Sequence, residues 1–472
     1  MASQSPGTRS RYRLRELTLL LLPFLILLVA MTQLLLSGPS VDRTAQLTPK
    51  VLPALQDITP VFGVIGVLLV ANVIMSIFFR KADQFLLPLV GMLSGIGVLM
   101  ATRLGPNIAA YRPNAASAAT YGPKQLLWVI LGLTLCLATV FVLRNTNWLE
   151  RYKYTWIIVG FLALLPSLIA GVRTLHSGAP THDTLGVGPF QLQPSELLKI
   201  TIVIFFAAYL SENRDVFTQG YMRLGRLRLP PLRQLGPLIL MLGFSLVIFL
   251  VVREQGLALL IYGLFLSMMY LGSGKMSYVL VSLGLFAILA FISYTLFSYI
   301  RARFAVIGFD VVDWQKWTPA QDFFATNQGA QVIQGLIALS SGGILGSGLG
   351  LGHPVLVPVV ESDMVFTGLG EELGLAGLFA ILALYLLIVY RGYRIAIESP
   401  NPFNQLLAAG LTSIFAIQTL IICAGNMKFF PLTGIPLPFL SYGGSSIFAN
   451  YIIIGILLRI SYNNAVERDG TG

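Results

Sequence analysis

Apolar runs of about 18 residues or more recur from one end of this sequence to the other, and each is long enough to cross a bilayer as a helix. Only 11% of the 472 residues are charged, whereas a soluble domain carries about 25%. A water-soluble globule with so few charges would lack the polar surface that it needs. The sequence therefore excludes a soluble enzyme and a secreted domain, and it predicts an integral membrane protein.

Twelve spans can be drawn from the apolar runs, which predicts an all-α, polytopic membrane protein. The predicted spans are 16–37, 61–79, 85–102, 126–143, 154–172, 195–211, 234–252, 256–272, 277–298, 364–390, 404–424 and 440–460. The longest connection, about 299–362, contains aromatic and apolar residues, so we expect it to be folded or re-entrant. Gly91 and Gly95 are four residues apart in the third span and predict close helix packing.

The positive charges predict the orientation of these spans. With the N-terminus inside, 19 of the 31 Lys and Arg residues fall in cytoplasmic segments, 11 fall outside, and Lys199 lies within a span. Because cytoplasmic loops are enriched in Lys and Arg, we expect both termini in the cytoplasm and the connection 299–362 outside. The same bias explains the net charge of +11. No basic stretch is long enough to form a nucleic-acid-binding face.

Ionisable residues near the span ends gather on the predicted outer side. Such residues are costly in a membrane and mark functional sites by default. They are Glu196, Lys199, Arg253, Glu254, Arg301, Arg303, Asp363, Glu371, Glu372 and Lys428. Their common side predicts a polar cavity that opens outward.

Structural roles remain open for three pairs of these residues. Glu196 and Lys199 could be a buried ion pair, and Arg301 and Arg303 could be interfacial anchors. Glu371 and Glu372 could form a bridge between helices.

Asp363 is the hardest of these residues to explain structurally, since no cation lies within four residues of it. The three histidines, His176, His182 and His353, lack the spacing of metal ligands, so they predict no metal site.

Several long motifs of the chain match one known family. Phe430–Asn450 contains PLTGIPLPFLSYGGSSIFAN, Gly188–Lys199 reads GPFQLQPSELLK, and Gly370–Gly374 reads GEELG. Between the last two motifs, Gln331 and Gln334 precede the glycine-rich stretch SGGILGSGLG. These motifs resemble those of the SEDS (shape, elongation, division and sporulation) family, the FtsW/RodA group.

The resemblance implies a ten-helix SEDS core at 85–462. The two additional spans would then lie in a basic N-terminal segment, 1–84, and a short cytoplasmic tail would occupy 463–472. Members of this family polymerise lipid II, an undecaprenyl-diphosphate disaccharide–pentapeptide, into glycan strands at the outer face of the bacterial cytoplasmic membrane. The implied roles are cell elongation, cell shape and cell division. A class B penicillin-binding protein, which is a transpeptidase, is the implied partner, beside the membrane lipid itself.

The resemblance also implies that Asp363 is the catalytic aspartate. In its motif the proline is kept as Pro358, while the family glutamate is replaced by Val359, with Glu361 two residues further on. Further departures from the family pattern are Arg253 and Glu254 in place of Pro-Asp, Ala330 before the first glutamine and Gly335 after the second.

The chemistry of such a reaction requires one base and a group of cations. A diphosphate leaves as a stable anion whose charge must be dispersed, and a sugar hydroxyl attacks well only when its proton is removed. We therefore expect Asp363 to be the general base. The other predicted substrate- or diphosphate-binding residues are Lys199, Glu196, Arg253, Glu254, Arg301, Arg303, Gln331, Gln334, Glu371, Glu372, Ser441 and Tyr442. A divalent cation is an open alternative to the side-chain cations.

Two other classes of function remain open. Many helices around a polar cavity also suit a flippase of lipid-linked saccharide, although the charges gather at the outer boundary rather than near the midplane. The third alternative is an inactive scaffold of a division or elongation complex.

Overall fold

The structure is a computed structural model that describes residues 13–36, 59–173, 185–187, 190–214, 222–224, 227–229, 243, 254–312 and 314–470. Its helices are α1 Leu14–Leu36, α2 Thr59–Phe78, α3 Leu86–Tyr111, α4 Tyr121–Val142, α5 Asn147–Arg151, α6 Lys153–Arg173, α7 Pro194–Glu212, α8 Gln255–Ser273, α9 Met276–Leu296, α10 Ser298–Gly308, α11 Pro319–Thr326, α12 Ala330–Gly342, α13 Val365–Ile397, α14 Pro402–Asn426 and α15 Gly444–Gly470. Two short antiparallel hairpins pair β1 Leu185–Val187 with β2 Phe190–Leu192, and β3 Met222–Leu224 with β4 Leu227–Leu229.

Ten of the described helices are long and apolar enough to cross a membrane, namely α1–α4, α7–α9 and α13–α15. They confirm the predicted helical membrane architecture. The predicted span 154–172 corresponds to α6, whose apolar part, Lys153–Ile169, is shorter. The predicted span 234–252 lies outside the described residues except for position 243. The number of twelve spans therefore stays a prediction.

The spanning helices differ strongly in burial. In the most apolar 18-residue stretch of α3 and of α7, 89% of the residues are buried inside the protein, and in that of α14 the share is 83%. In α9 the share is 6%, and its Leu280, Ile288 and Phe291 side chains are exposed. Helices α3, α7 and α14 thus form the centre of the bundle, whereas α9 lies at its edge.

Two glycines of α3 receive side chains from the first two helices. A Cβ atom on Gly91 would lie 2.8 Å from the Cδ1 atom of Leu68 in α2, and one on Gly95 would overlap Leu27 in α1. A larger residue at either position would have to displace the leucine side chain that packs there. This arrangement confirms the predicted packing role of the glycine pair.

The described parts of the segments predicted on either side of the core, 1–84 and 463–472, are continuous with it in the structure. Asp83, within the predicted segment 1–84, forms an ion pair with Arg391 of α13, and Leu27 of α1 packs against Gly95 of α3. At the other end, α15 continues through the described part of the predicted tail 463–472. The N-terminal pair of helices therefore packs directly on the rest of the bundle.

The segment between α9 and α13 is folded, as predicted. It contains α10, α11, α12 and two 3₁₀ turns, Trp314–Lys316 and Pro354–Leu356. Helix α11 begins with a capping box, in which Thr318 and Gln321 each accept a hydrogen bond from the other's amide. This segment supplies one wall of the cavity described next.

Candidate active site

A cavity of about 370 Å³ lies between α10, α12, the turn before α13 and the loop between α14 and α15. Among the described residues that line it, four are ionisable: Glu254, Arg303, Asp363 and Lys428. The other lining residues are Ala302, Val306, Ile307, Gln328, Gln331, Val332, Phe430, Pro431, Leu432, Thr433 and Gly434. The described part of the wall therefore combines two acidic and two basic side chains with both polar and apolar neighbours.

A narrower apolar cleft of about 90 Å³ lies beside this cavity. The two share Phe430, Pro431 and Thr433. The cleft continues between α8, α9 and α10, along Ala258, Leu259, Tyr262, Phe286, Leu289, Ala290, Ile300 and Phe304. A polar space and an apolar space thus meet at the loop that follows α14.

Asp363 lies in the turn that leads into α13. The amides of Ser362 and Met364 donate to the carbonyl of Val359 at 3.1 and 3.3 Å, and Val359 has a φ of 57°. The Asn426 side chain, at the end of α14, donates to the main-chain oxygen of Asp363 at 3.0 Å. These bonds hold the backbone of Asp363 so that its carboxylate faces the cavity.

The surroundings of Asp363 raise the pKa of its carboxyl group above the ordinary value. Burial is the largest cause; the hydrogen bond that Ser362 Oγ donates to Oδ1 at 3.2 Å acts against it. The charge of Glu361 raises the pKa further, and the charge of Arg303 lowers it. A carboxylate with a raised pKa is a stronger base, which suits it to accept a proton.

Of the two arginines predicted on α10, Arg303 lines the cavity and Arg301 does not. Residues two apart in a helix point in directions about 200° apart, because a turn contains about 3.6 residues. Arg303 donates from Nη1 to the carbonyl of Leu432 at 3.1 Å, whereas the side chain of Arg301 is exposed. The structure thus brings Arg303 to Asp363 and leaves Arg301 outside.

Ser441 and Tyr442 hold the loop between α14 and α15 against the turn that carries Asp363. Ser441 Oγ donates to the Ser362 carbonyl at 2.6 Å and accepts from the Leu437 amide at 2.8 Å. The Tyr442 amide donates to the Glu361 carbonyl at 2.8 Å. Burial raises the pKa of Tyr442 to about 12. Both residues lie beside the cavity wall rather than among its lining residues.

Glu196 and Lys199 form a buried ion pair in α7, with 2.6 Å between Nζ and the Glu196 carboxylate. The Lys199 ammonium also donates to Gln418 Oε1 at 3.1 Å and to Asn450 Oδ1 at 3.2 Å. Gln418 in turn donates to the carbonyl of Pro436 at 2.7 Å. The pair does not line the cavity, and it joins α7, α14 and α15 beneath the loop.

Glu371 and Glu372 hold the glycine-rich stretch in place. The Glu371 carboxylate accepts from the His353 amide at 2.6 Å, and Glu372 lies 3.4 Å from Nε of Arg103. Amides of the glycine-rich stretch donate to the main-chain carbonyls of both glutamates at 2.9 and 3.0 Å. Gly374, with a φ of 67°, interrupts α13 at this contact. Neither carboxylate is among the groups that line the cavity.

The remaining predicted residues divide in the same way. Glu254 and Gln331 line the cavity. Gln334 is exposed and is not among the described residues that line the cavity. Arg253 lies outside the described residues.

Two further residues of the site lie outside the family motifs: Lys428 lines the cavity, and Asn426 holds the backbone of Asp363. Both precede the matched motif Phe430–Asn450. Lys428 had one sequence signal, its position as an ionisable residue at the outer end of a span. Asn426 had none, since its role depends on the fold that brings it to Asp363.

Comparison with known proteins gives a consistent result. A family model described as cell cycle protein, covering FtsW, RodA and SpoVE, matches residues 84–466. The peptidoglycan glycosyltransferase RodA of Mycobacterium tuberculosis is 37% identical over 391 residues, which cover 82% of this chain and 79% of RodA. The probable peptidoglycan glycosyltransferase FtsW of Geobacter metallireducens is 30% identical over 345 residues, covering 72% of this chain and 84% of that protein.

The fold is shared with a solved structure. A chain from a peptidoglycan synthase complex that coordinates polymerization and crosslinking aligns with a TM-score of 0.56 and 21% identity. The alignment covers 81% of this chain and 98% of the other. The fold, the family model and the sequence relatives agree, and the chain belongs to the FtsW/RodA/SpoVE family.

Proposed function

We propose that this protein is a peptidoglycan glycosyltransferase that polymerises lipid II into glycan strands during cell elongation or cell division. The observation that carries the proposal is the presence of the Asp363 carboxylate and the Arg303 guanidinium on the wall of one cavity. Membership of the family, with relatives named as peptidoglycan glycosyltransferases, supports the same activity.

In this reaction Asp363 takes the proton from a sugar hydroxyl of the acceptor. The hydroxyl oxygen forms a bond to the anomeric carbon of the donor, and the bond between that carbon and the diphosphate oxygen breaks. The electron pair leaves with undecaprenyl diphosphate, whose negative charge Arg303 stabilises, and the proton on Asp363 is then lost to water. A positioned base of this kind contributes about 100- to 10,000-fold.

The apolar cleft suits the lipid part of this substrate. Aromatic and aliphatic side chains of α8, α9 and α10 line it, and it meets the polar cavity at Phe430 and Pro431. If the part of the undecaprenyl chain next to the diphosphate lies in this cleft, the diphosphate reaches the cavity without drawing the lipid into water. Binding of the remote chain would also orient the reacting carbon toward Asp363.

We place the protein in the bacterial cytoplasmic membrane, with both termini in the cytoplasm and the cavity open to the outer side. The excess of Lys and Arg in the predicted cytoplasmic segments supports this orientation. We also infer a class B penicillin-binding protein as the partner, because the matched solved chain comes from a peptidoglycan synthase complex.

A gel assay of glycan polymer tests the proposal directly. Purified full-length protein is incubated with lipid II, alone and with a class B transpeptidase, and we expect polymer in at least the second reaction. In a parallel assay the protein is placed in vesicles that contain fluorescent lipid II. Translocation without polymer would support a flippase, and the absence of both activities would support a scaffold.

A further inference from the structure

We propose that Lys428 is a diphosphate-binding residue of the cavity, acting opposite Arg303 on the leaving group of the donor. This inference rests on the proposed glycosyltransferase function. Lys428 lies two residues after the end of α14, outside the matched motif Phe430–Asn450, and its side chain lines the cavity together with Arg303.

The position of the ammonium supports this role. Lys428 is partly exposed, and its Nζ donates to the carbonyl of Phe309, the residue that follows α10. Helix α10 also carries Arg303, which reaches the Leu432 carbonyl of the loop after Lys428. Each cation thus crosses between α10 and this loop, and both contribute to the cavity wall.

A second cation beside Arg303 favours the binding of an anionic substrate in this cavity. Asp363 and Glu254 line it as carboxylates, and Arg303 and Lys428 line it as cations. With Lys428 on the cavity wall, a diphosphate can enter between two hydrogen-bond donors that carry positive charge.

The backbone of Lys428 supports a functional reason for the side chain. Its φ is 65°, in the left-handed region where glycine is favoured over residues with a Cβ. Gly434, in the same loop, adopts a φ of 71°. A lysine where glycine would be less strained points to a role for the ammonium, since such strain concentrates at functional sites.

This strain provides a test that separates binding from folding. Lys428→Gly removes the ammonium and relieves the backbone, so it should unfold at the same or a higher temperature than the wild type. Lys428→Gln removes the charge but keeps a donor, and Lys428→Arg keeps the charge. Lys316→Gln, at an exposed lysine of the same outer segment, is the matched control.

The readouts are the KM for lipid II in the polymer assay and the affinity for inorganic pyrophosphate measured by calorimetry on the full-length protein. We expect Lys428→Gly and Lys428→Gln to raise the KM and weaken pyrophosphate binding about tenfold, and Lys428→Arg and Lys316→Gln to change both less than about threefold. Wild-type KM and pyrophosphate affinity in the Gly and Gln variants would overturn the proposal.

The two readouts also separate this proposal from the proposed function. A wild-type protein that makes no polymer would contradict the glycosyltransferase activity. Pyrophosphate binding that depends on Lys428 would still support the anion site in that case, and binding independent of Lys428 would reject it.

Discussion

Two clusters of ionisable residues on the predicted outer side have opposite surroundings. The Lys199 ammonium is enclosed, with Glu196, Gln418 and Asn450 within 3.2 Å of it. Asp363 and Arg303, by contrast, face a cavity of about 370 Å³. Residue type and position relative to the membrane do not separate the two clusters. The difference lies in whether protein or open space surrounds the charges. The closed cluster, Glu196 and Lys199, can therefore hold helices in position, and the open cluster, Asp363 and Arg303, can bind a substrate.

The largest expected effect is the loss of activity when Asp363, in the open cluster, is substituted. Asp363→Asn removes the base, so we expect polymer formation from lipid II to fall by at least about 100-fold. Burial raises the folded-state pKa of this carboxyl group, so its ionisation opposes folding at neutral pH. The variant should therefore unfold at the same or a higher temperature than the wild type.

The control for this variant is Asp322→Asn, which changes an exposed acid in α11. It should leave polymer formation unchanged. Full activity of Asp363→Asn would remove Asp363 from the role of base.

A substitution in the closed cluster should lower the stability of the protein rather than its activity. Lys199→Met leaves the buried Glu196 carboxylate without its cation, which we expect to lower the free energy of unfolding by about 3–5 kcal/mol. Adding Glu196→Gln to this variant removes the unpaired charge and should restore much of the stability. Thermal unfolding in detergent measures both changes. A Lys199→Met protein of normal stability that cannot use lipid II would place Lys199 in the open cluster after all.

A smaller effect is expected within α10. Arg303→Ala should raise the KM for lipid II about 10- to 100-fold, because it removes a charged donor from the cavity. Arg301→Ala should change the KM less than about threefold, since this side chain is exposed. Steady-state kinetics on the two variants measures the difference. Equal effects of the two substitutions would show that orientation on the helix does not decide their roles.

The smallest expected effect concerns the pH dependence. The pKa of Asp363 lies above its ordinary value, and the negative charge of Glu361 contributes to this shift. Activity should therefore rise with pH as Asp363 loses its proton, and Glu361→Gln should move this rise to lower pH by less than about one unit. A profile of kcat/KM against pH tests this expectation. A rise that stays in place or moves to higher pH would contradict the assignment of the titration to Asp363.

Much of the architecture follows from the sequence because the bilayer imposes a simple length and polarity rule on each span. The apolar runs predicted the helices, and the family motifs pointed to Asp363, which the structure places on the cavity wall. The glycine pair Gly91 and Gly95 was also interpreted correctly from its spacing.

The direction of individual side chains could not be predicted in the same way. Arg301 and Arg303 are equivalent as sequence, and the rotation of α10 alone sends one to the cavity and the other to the surface. Lys199 lies in a family motif, yet the packing of α14 and α15 supplies its partners. The left-handed backbone of Lys428 has no sequence signature comparable with a glycine. Each of these features depends on tertiary packing.

The hollows that Gly91 and Gly95 create on α3 have a consequence for assembly. Leu68 and Leu27 already fill them. A partner protein with one membrane span therefore cannot pack its helix against this face of α3 without displacing α1 or α2. The exposed outer surface of the bundle lies elsewhere, along helices such as α9 and α13, where 6% and 28% of the most apolar 18-residue stretch is buried. The first two helices thereby narrow the directions from which a companion can dock.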